Sequence, residues 1–319
     1  MSLDDHCLDQ LFQPSDGKTP QEVSLGGVPV PMKLRYSKEC KNLLVSFHGA
    51  VDRNTRTPPV FSPLLPGLGD SVAQLSVSDP SMMREGAFSM AWYSGHEGFR
   101  AQDILADFFR AIARSGRFER VVFFGSSGGG FASLYFSSLL PESIAVVGVP
   151  QTNMRRYYSV HIKKYREGCW PSLASDDALA REICTDLCKW YSAPRPNTVI
   201  YLQSAGDHFH TQTQFIPFMT AISEVKDSRF IAYSGFWGKL GHSGAITSEC
   251  YLPWIRAAFL SPSIEVDDLL VTHRNLTEPP SQPLEPKPDS GGRQNAPDAS
   301  DIRLAALLRD YHLRQPTEG

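Results

Sequence analysis

Ser127 lies in Gly125-Ser126-Ser127-Gly128-Gly129, a G-x-S-x-G pattern between an apolar run at residues 120–124 and a helical stretch at 131–140. A serine at so sharp a strand-to-helix turn is held in strained backbone, and side chains on either side would clash. Small residues at 125 and 129 therefore have a steric reason. The turn also sets a helix N-terminus and its free N–H groups beside the hydroxyl, which suits nucleophilic attack on an acyl carbon. A Gly/Ser-rich helix start and a phosphate-binding turn are the alternatives, although the stretch spells neither G-x-G-x-x-G nor G-K-[ST].

Three other clusters carry chemistry-bearing side chains. Asp207-His208-Phe209-His210 reads as a group of metal ligands or as a capping aspartate ahead of a helix. Cys184 and Cys188 are four apart on a helical stretch and share one face in that reading, but no second Cys or His pair has matching spacing, so no metal is assigned. Between residues 155 and 166, Arg155, Arg156, Lys163, Lys164 and Arg166 accompany Tyr157, Tyr158, His161 and Tyr165 without an acid. Over Ser127 such a face favours an anionic substrate, through Arg155 and Arg156 first; turned outward it is a solvated helix surface.

The elements that must position these groups alternate along the chain. Residues 21–36 read as a strand pair, 42–47 as a buried strand ending in His48-Gly49-Ala50, and 53–70 as a long surface loop. Residues 88–93 read as a further strand, 102–114 as an amphipathic helix, 120–124 and 144–149 as strands. After an insertion at 152–196 with two helical stretches, strands resume at 198–202 and 230–233, with helices near 212–222 and 248–259. Strands alternating with helices imply a mainly parallel sheet covered on both faces. The pattern stops near residue 262. Residues 263–300, with Pro279, Pro280, Pro283, Pro286, Pro288 and Pro297, read as a flexible linker, and 301–314 as an amphipathic helix that folds back or docks on a protein partner.

The G-x-S-x-G turn in this strand-turn-helix setting resembles the α/β-hydrolase superfamily, and the resemblance covers roughly residues 25–260. It implies an α/β-hydrolase domain over 1–262, with 152–196 as a helical cap. His48-Gly49-Ala50 is similar to the oxyanion loop of that superfamily, which implies backbone donors at Gly49 and Ala50 together with Gly128. Asp207 follows the strand at 198–202 where the superfamily places its acid, and His242, in Gly241-His242-Ser243-Gly244, follows the last strand where it places its base. The implied roles are Ser127 as nucleophile, His242 as base and Asp207 as the carboxylate that orients it. His48 is expected to brace the loop or meet substrate, and His96 to meet substrate from a loop at the same end of the sheet. The implied activity is hydrolysis of an ester or related acyl bond without a cofactor, on a small molecule or glycan. Acyl transfer in surface-polysaccharide assembly and a non-catalytic binding scaffold are the other readings.

Composition bounds the remainder. The 319 residues are 41% apolar and 20% charged, in the range of a folded globular chain. A net charge of −3 supplies no global field for nucleic acid or an anionic membrane. No run approaches the roughly 18 apolar residues of a membrane span. Residues 1–13 carry Asp4, Asp5 and Asp9 rather than a basic, then apolar leader, so a cytoplasmic location with reduced cysteines is expected.

Overall fold

The computed structural model describes residues 5–237 and 239–278. Helix α1 (Asp5–Leu11) leads into strands β1 (Ser15–Asp16) and β2 (Gln21–Leu25), both antiparallel to β3 (Val28–Tyr36). The β2–β3 turn is Gly26-Gly27 with φ of 57° and 81°, the left-handed pair that a two-residue hairpin demands. Then follow β4 (Asn42–Phe47), β5 (Val72–Val77), helix α2 (Ala101–Arg114), β6 (Arg120–Ser126), α3 (Gly128–Ser137) and β7 (Ile144–Gly148). Helices α4 (Ser159–Cys169), α5 (Asp176–Glu182) and α6 (Leu187–Trp190) precede β8 (Thr198–Ser204). A short α7 (His208–His210) runs through a π-turn at Thr211–Phe215 into α8 (Ile216–Ser223), before β9 (Arg229–Gly235), α9 (Ser248–Leu260) and α10 (Val266–Thr277).

One sheet joins these strands in the order β1-β3-β5-β4-β6-β7-β8-β9, with β2 on β3; every pairing from β5 to β9 is parallel. Its two faces follow from the period-two alternation of strand side chains. Val121 and Phe123 join a core with Phe108 and Phe109 of α2, Phe131 of α3 and Phe218 of α8, whereas Val122 and Phe124 meet Trp254 and Ile255 of α9. Helices on both faces explain why β4, β6, β7 and β8 are buried almost end to end. The mainly parallel, doubly covered sheet is as the sequence implied.

Three expectations are corrected. Residues 88–93 are buried but form no strand: Trp92 and Tyr93 have φ of 51° and 56°, which no strand accepts. The strand beside β4 is β5, concealed in sequence because Gln74 and Ser76 interrupt its apolar run; the Gln74 amide is instead satisfied by the Leu65 N–H and C=O. The pattern also does not end near 262. In α10, Leu269 is fully buried and His273 stacks on Trp254 of α9 at 3.6 Å, contacts masked in sequence by Asp267, Asp268 and Arg274. The linker expected over 263–300 thus starts no earlier than the end of α10; the rest of it and the helix expected at 301–314 lie outside the described residues.

A further correction concerns the cysteines. Cys184 precedes α6 and Cys188 lies in it, and their thiols approach different oxygens, the Asp186 C=O and the Thr152 hydroxyl. No shared helix face forms, and burial pushes both thiols up, to about 12 and about 11. Among the described residues no helix is long and apolar enough to cross a membrane.

Candidate active site

Ser127 occupies the turn between β6 and α3 with φ 55° and ψ −121°, a conformation costing of order 1–3 kcal/mol for a residue with a side chain. The glycines around it are there for space. A Cβ at Gly125 would sit 2.4 Å from the Gly129 C=O, one at Gly129 2.3 Å from the Phe47 oxygen, and one at Gly130 2.5 Å from Pro150 Cβ. The Ser127 Oγ accepts a hydrogen bond from the Gln151 side-chain amide at 3.1 Å, and the Ser127 C=O accepts from the Gln151 N–H at 3.0 Å. Trp92 Nε1–H donates to Gln151 Oε1. An indole nitrogen only donates, so this bond fixes the amide with its NH₂ toward Ser127. Gln151 is fully buried. Nothing in the sequence singled it out: it is an ordinary residue after Pro150, and its role comes from how β7 exits.

Gly49 packs against this turn; a Cβ there would lie 3.6 Å from that of Ser127. Among the described residues the N–H groups of Gly49, Ala50 and Gly128 have no acceptor. The loop is tied down through His48. Its N–H donates to Tyr93 Oη at 2.8 Å, its Nδ1–H donates to the Gly49 C=O at 2.7 Å, and its Nε2 accepts from the Asp79 N–H at 3.2 Å. Burial lowers the His48 imidazole to about 4, so the ring is neutral with both nitrogens engaged inside the fold. Its expected substrate contact gives way to the bracing role.

Asp79 is the other half of that brace, accepting from the Tyr93 N–H at 2.7 Å and the Ser81 N–H at 3.0 Å. Burial pushes its carboxyl up to about 6 despite those bonds. A folded value above the unfolded one of about 3.9 means that the ionised group opposes folding. Its full stability is present below about pH 4 and declines by roughly 3 kcal/mol as pH rises from there through about 6. Asp79→Asn is expected to be less stable than the wild type at pH 5, one acceptor being lost, but to lack that decline. Urea unfolding at pH 5 and 7.5 checks this; parallel pH dependences in the two proteins would refute it.

Asp207 ends the turn after β8, where it caps α7 through the His210 N–H at 3.2 Å. Its Oδ2 also accepts from His242 Nδ1 at 2.7 Å. A second histidine shares the carboxylate: His210 Nδ1 is 3.1 Å from Oδ1, and the His210 ring stacks on that of His242 at 3.9 Å and 13°. Asp207 and His210 are each 1% exposed. Burial pushes the Asp207 carboxyl up, yet hydrogen bonds from His210 and His242 prevail and hold it well below the usual carboxylate range. Burial lowers His210, which favours the neutral ring that donates to Asp207. The capping role weighed in sequence and the bond to His242 thus coexist on one side chain. His210, seen in sequence only as a metal-ligand alternative, is the residue whose place was missed.

The same three residues place one ligand atom each within 4.8 Å of one another. In this structure each ring places its Nδ1 at hydrogen-bond distance from an Asp207 oxygen, the contacts of a hydrogen-bonded cluster.

The loop holding His242 crosses the sheet rim toward Ser127. Gly241 N–H donates to the Gly206 C=O at 2.9 Å, and a Cβ at Gly206 would meet the Lys239 oxygen at 2.2 Å, so only glycine admits this approach. Further on, Ile246 lies 3.2 Å from a Cβ built on Gly148, beside the Ser126 Oγ. The turns of Ser127 and Asp207 are separated by β7, a span of about 10 Å at two strand spacings, and His242 belongs to the segment bridging them. Its Nε2 has no partner among the described residues, and Ser127 Oγ bonds Gln151 rather than His242.

His96, Arg155 and Arg156 were also expected to meet substrate. His96 Nδ1 is 3.3 Å from Ser81 Oγ, and its ring leans on Phe99 at 5.4 Å. Arg155 pairs with Asp177 at 2.7 Å and lines a separate cleft with Arg100, Glu182 and Lys189. Arg156 is exposed. The insertion presents its tyrosines, not these arginines, to the Asp207–His242 pair: Tyr157 and Tyr158 share a cavity with both residues.

No protein-family model matches this chain, and no curated protein matches it in sequence. Solved structures do. A Mycobacterium tuberculosis puromycin-hydrolyzing peptidase is similar over 77% of this chain and 40% of its own, with a TM-score of 0.52 and 15% identity. Porphyromonas gingivalis dipeptidyl peptidase 4 is similar over 76% and 34%, at 0.52 and 12%. Pyrococcus horikoshii acylaminoacyl peptidase is similar over 85% and 46%, at 0.51 and 10%. The chain spans less than half the length of each of these three. At such identities the likeness concerns the fold, and the fold is that of the α/β hydrolases.

Proposed function

We propose that the protein is a serine hydrolase that cleaves an ester or related acyl bond through an acyl-serine. One observation carries the reading: a serine in strained backbone at the tip of β6 and a 2.7 Å carboxylate–imidazole pair lie at the same sheet rim, with one strand between their turns. In this reading the Asp207 carboxylate keeps the His242 proton on Nδ1, which leaves Nε2 as the base. His242 Nε2 takes the Ser127 proton, Oγ bonds to the acyl carbon, and the carbonyl oxygen becomes an oxyanion facing the N–H groups of Gly128 and the 49–50 loop. The imidazolium returns the proton to the leaving atom as its bond to the acyl carbon breaks, and water repeats the sequence to free Ser127. Fluorophosphonate labelling followed by peptide mapping tests this. The label is expected on Ser127, and an unlabelled Ser127 in folded protein would overturn the proposal.

Gln151 has a defined part here. Its NH₂ holds the Ser127 Oγ as an acceptor, leaving the hydroxyl proton for His242, and supports the oxygen as charge builds on it. Gln151→Ala is expected to lower kcat by about 10- to 100-fold with little change in KM, somewhat less than loss of an oxyanion donor. Gln151→Glu, which presents an acceptor where a donor is needed, should be at least as damaging at neutral pH. Steady-state kinetics with a chromogenic ester decide it: a KM effect alone would remove the role.

A further inference from the structure

We infer that the cavity beside His242 is the subsite for the leaving group and that it receives an uncharged ring, stacked flat on Tyr158. The inference rests on the hydrolase reading and adds to it the chemistry of the group released.

The cavity holds about 280 Å³ and is walled by Tyr157, Tyr158, Phe209, Leu240, Gly241 and His242. Tyr158 lies parallel to Phe209, 4.4 Å apart and 4° from coplanar, and is 52% exposed. Tyr157 sets its edge against both rings, at 4.9 Å and 6.0 Å, and reaches the His210 ring at 5.6 Å. An aromatic floor therefore runs from the open Tyr158 face to the stacked His210 and His242. Leu240, 76% exposed, stands at its margin.

Charge narrows the occupant. No lysine or arginine is among the residues lining this cavity, and its one carboxylate, Asp207, is already engaged by both histidines. An anion finds no lysine or arginine here. Three cations of the insertion are engaged elsewhere: Arg155 meets Asp177, Arg166 meets Asp176 and Lys163 faces Glu167. What remains is a flat π-surface, suited to a neutral aryl ring or to the apolar face of a pyranose.

The reaction assigns the position. His242 must deliver its proton to the leaving oxygen or nitrogen as the bond from the acyl carbon to that atom breaks, so the atom lies within hydrogen-bond reach of Nε2. Its substituent extends into the space adjoining His242, which is this cavity.

The test compares ring-bearing and acyclic acetyl esters whose leaving alcohols are matched in acidity, one aryl pair and one pair of an acetylated methyl pyranoside with an acetylated acyclic polyol. In the wild type the ring-bearing member of at least one pair is expected to have the higher kcat/KM, and which pair shows it tells aryl from sugar. Tyr158→Ala should reduce that ring-to-acyclic ratio about tenfold, Phe209→Ala should reduce it less, and Tyr158→Phe should preserve it. A ratio near one in both pairs in the wild type, or a ratio untouched by Tyr158→Ala, overturns the subsite. Fluorophosphonate releases fluoride and needs no ring, so labelling of Ser127 in the wild type alongside such a result leaves the hydrolase reading standing. Failure of labelling removes both.

Discussion

Ser127→Ala is expected to abolish fluorophosphonate labelling and to lower ester turnover by about 10⁶-fold, while the fold persists. The size follows from what the hydroxyl alone supplies. Without it no acyl-enzyme forms, and the residual rate comes from water attacking a substrate polarised by the free N–H groups of the 49–50 loop and Gly128. The chain should lose no stability, since the strained φ of 55° depends on any Cβ and not on the oxygen. Loss of the Gln151 bond is offset in part by removal of a buried hydroxyl. The check is kcat together with thermal unfolding. A residual rate within tenfold of the wild type would mean that another nucleophile acts.

Asp207→Asn is expected to cost about 10⁴-fold in kcat. The amide can no longer accept from both imidazoles. If its oxygen keeps the His210 N–H and Nδ1–H, its NH₂ faces His242 and forces the proton of that ring onto Nε2, where the base is needed. A stability signature accompanies the kinetic one. Because Asp207 is held below the usual carboxylate range, its share of wild-type stability is full above its unfolded value of about 3.9 and is lost as pH falls through the lower folded value. The asparagine variant should be less stable at neutral pH and should lack this acid-side loss. Titration of unfolding by urea between pH 3 and 7 separates the outcomes, and an unchanged acid limb would refute the assigned hydrogen bonds.

Much of the sheet was legible because parallel strands buried on both faces are short apolar runs bounded by breakers; 42–47, 120–124 and 144–149 announce themselves in that way. Gly125 and Gly129 were legible for the same physical reason that they are needed, since each would collide with backbone if given a side chain. What could not be read is polarity that the fold hides. Gln74 and Ser76 broke the β5 pattern while being almost wholly buried, and Gln151 reaches Ser127 only because Trp92, distant in sequence, turns its amide. Residues 88–93 misled in the opposite sense: a run that is buried at Phe88 and from Met90 to Tyr93 resembles a strand until the backbone at Trp92 and Tyr93 is known. The direction of the insertion was equally invisible. Arg155 and Tyr158 are three apart, and only the tertiary packing settled that the tyrosine shares a cavity with His242 while the arginine pairs with Asp177.

That backbone at 92–93 has a mechanical consequence. Trp92 steers the amide that grips the attacking oxygen, while the hydroxyl of the adjacent Tyr93 suspends the loop facing it, and both hang from a hinge clamped by Asp79. Two adjacent side chains of one strained bend therefore set both sides of the gap, one through the amide on the attacking oxygen and the other through the loop facing it.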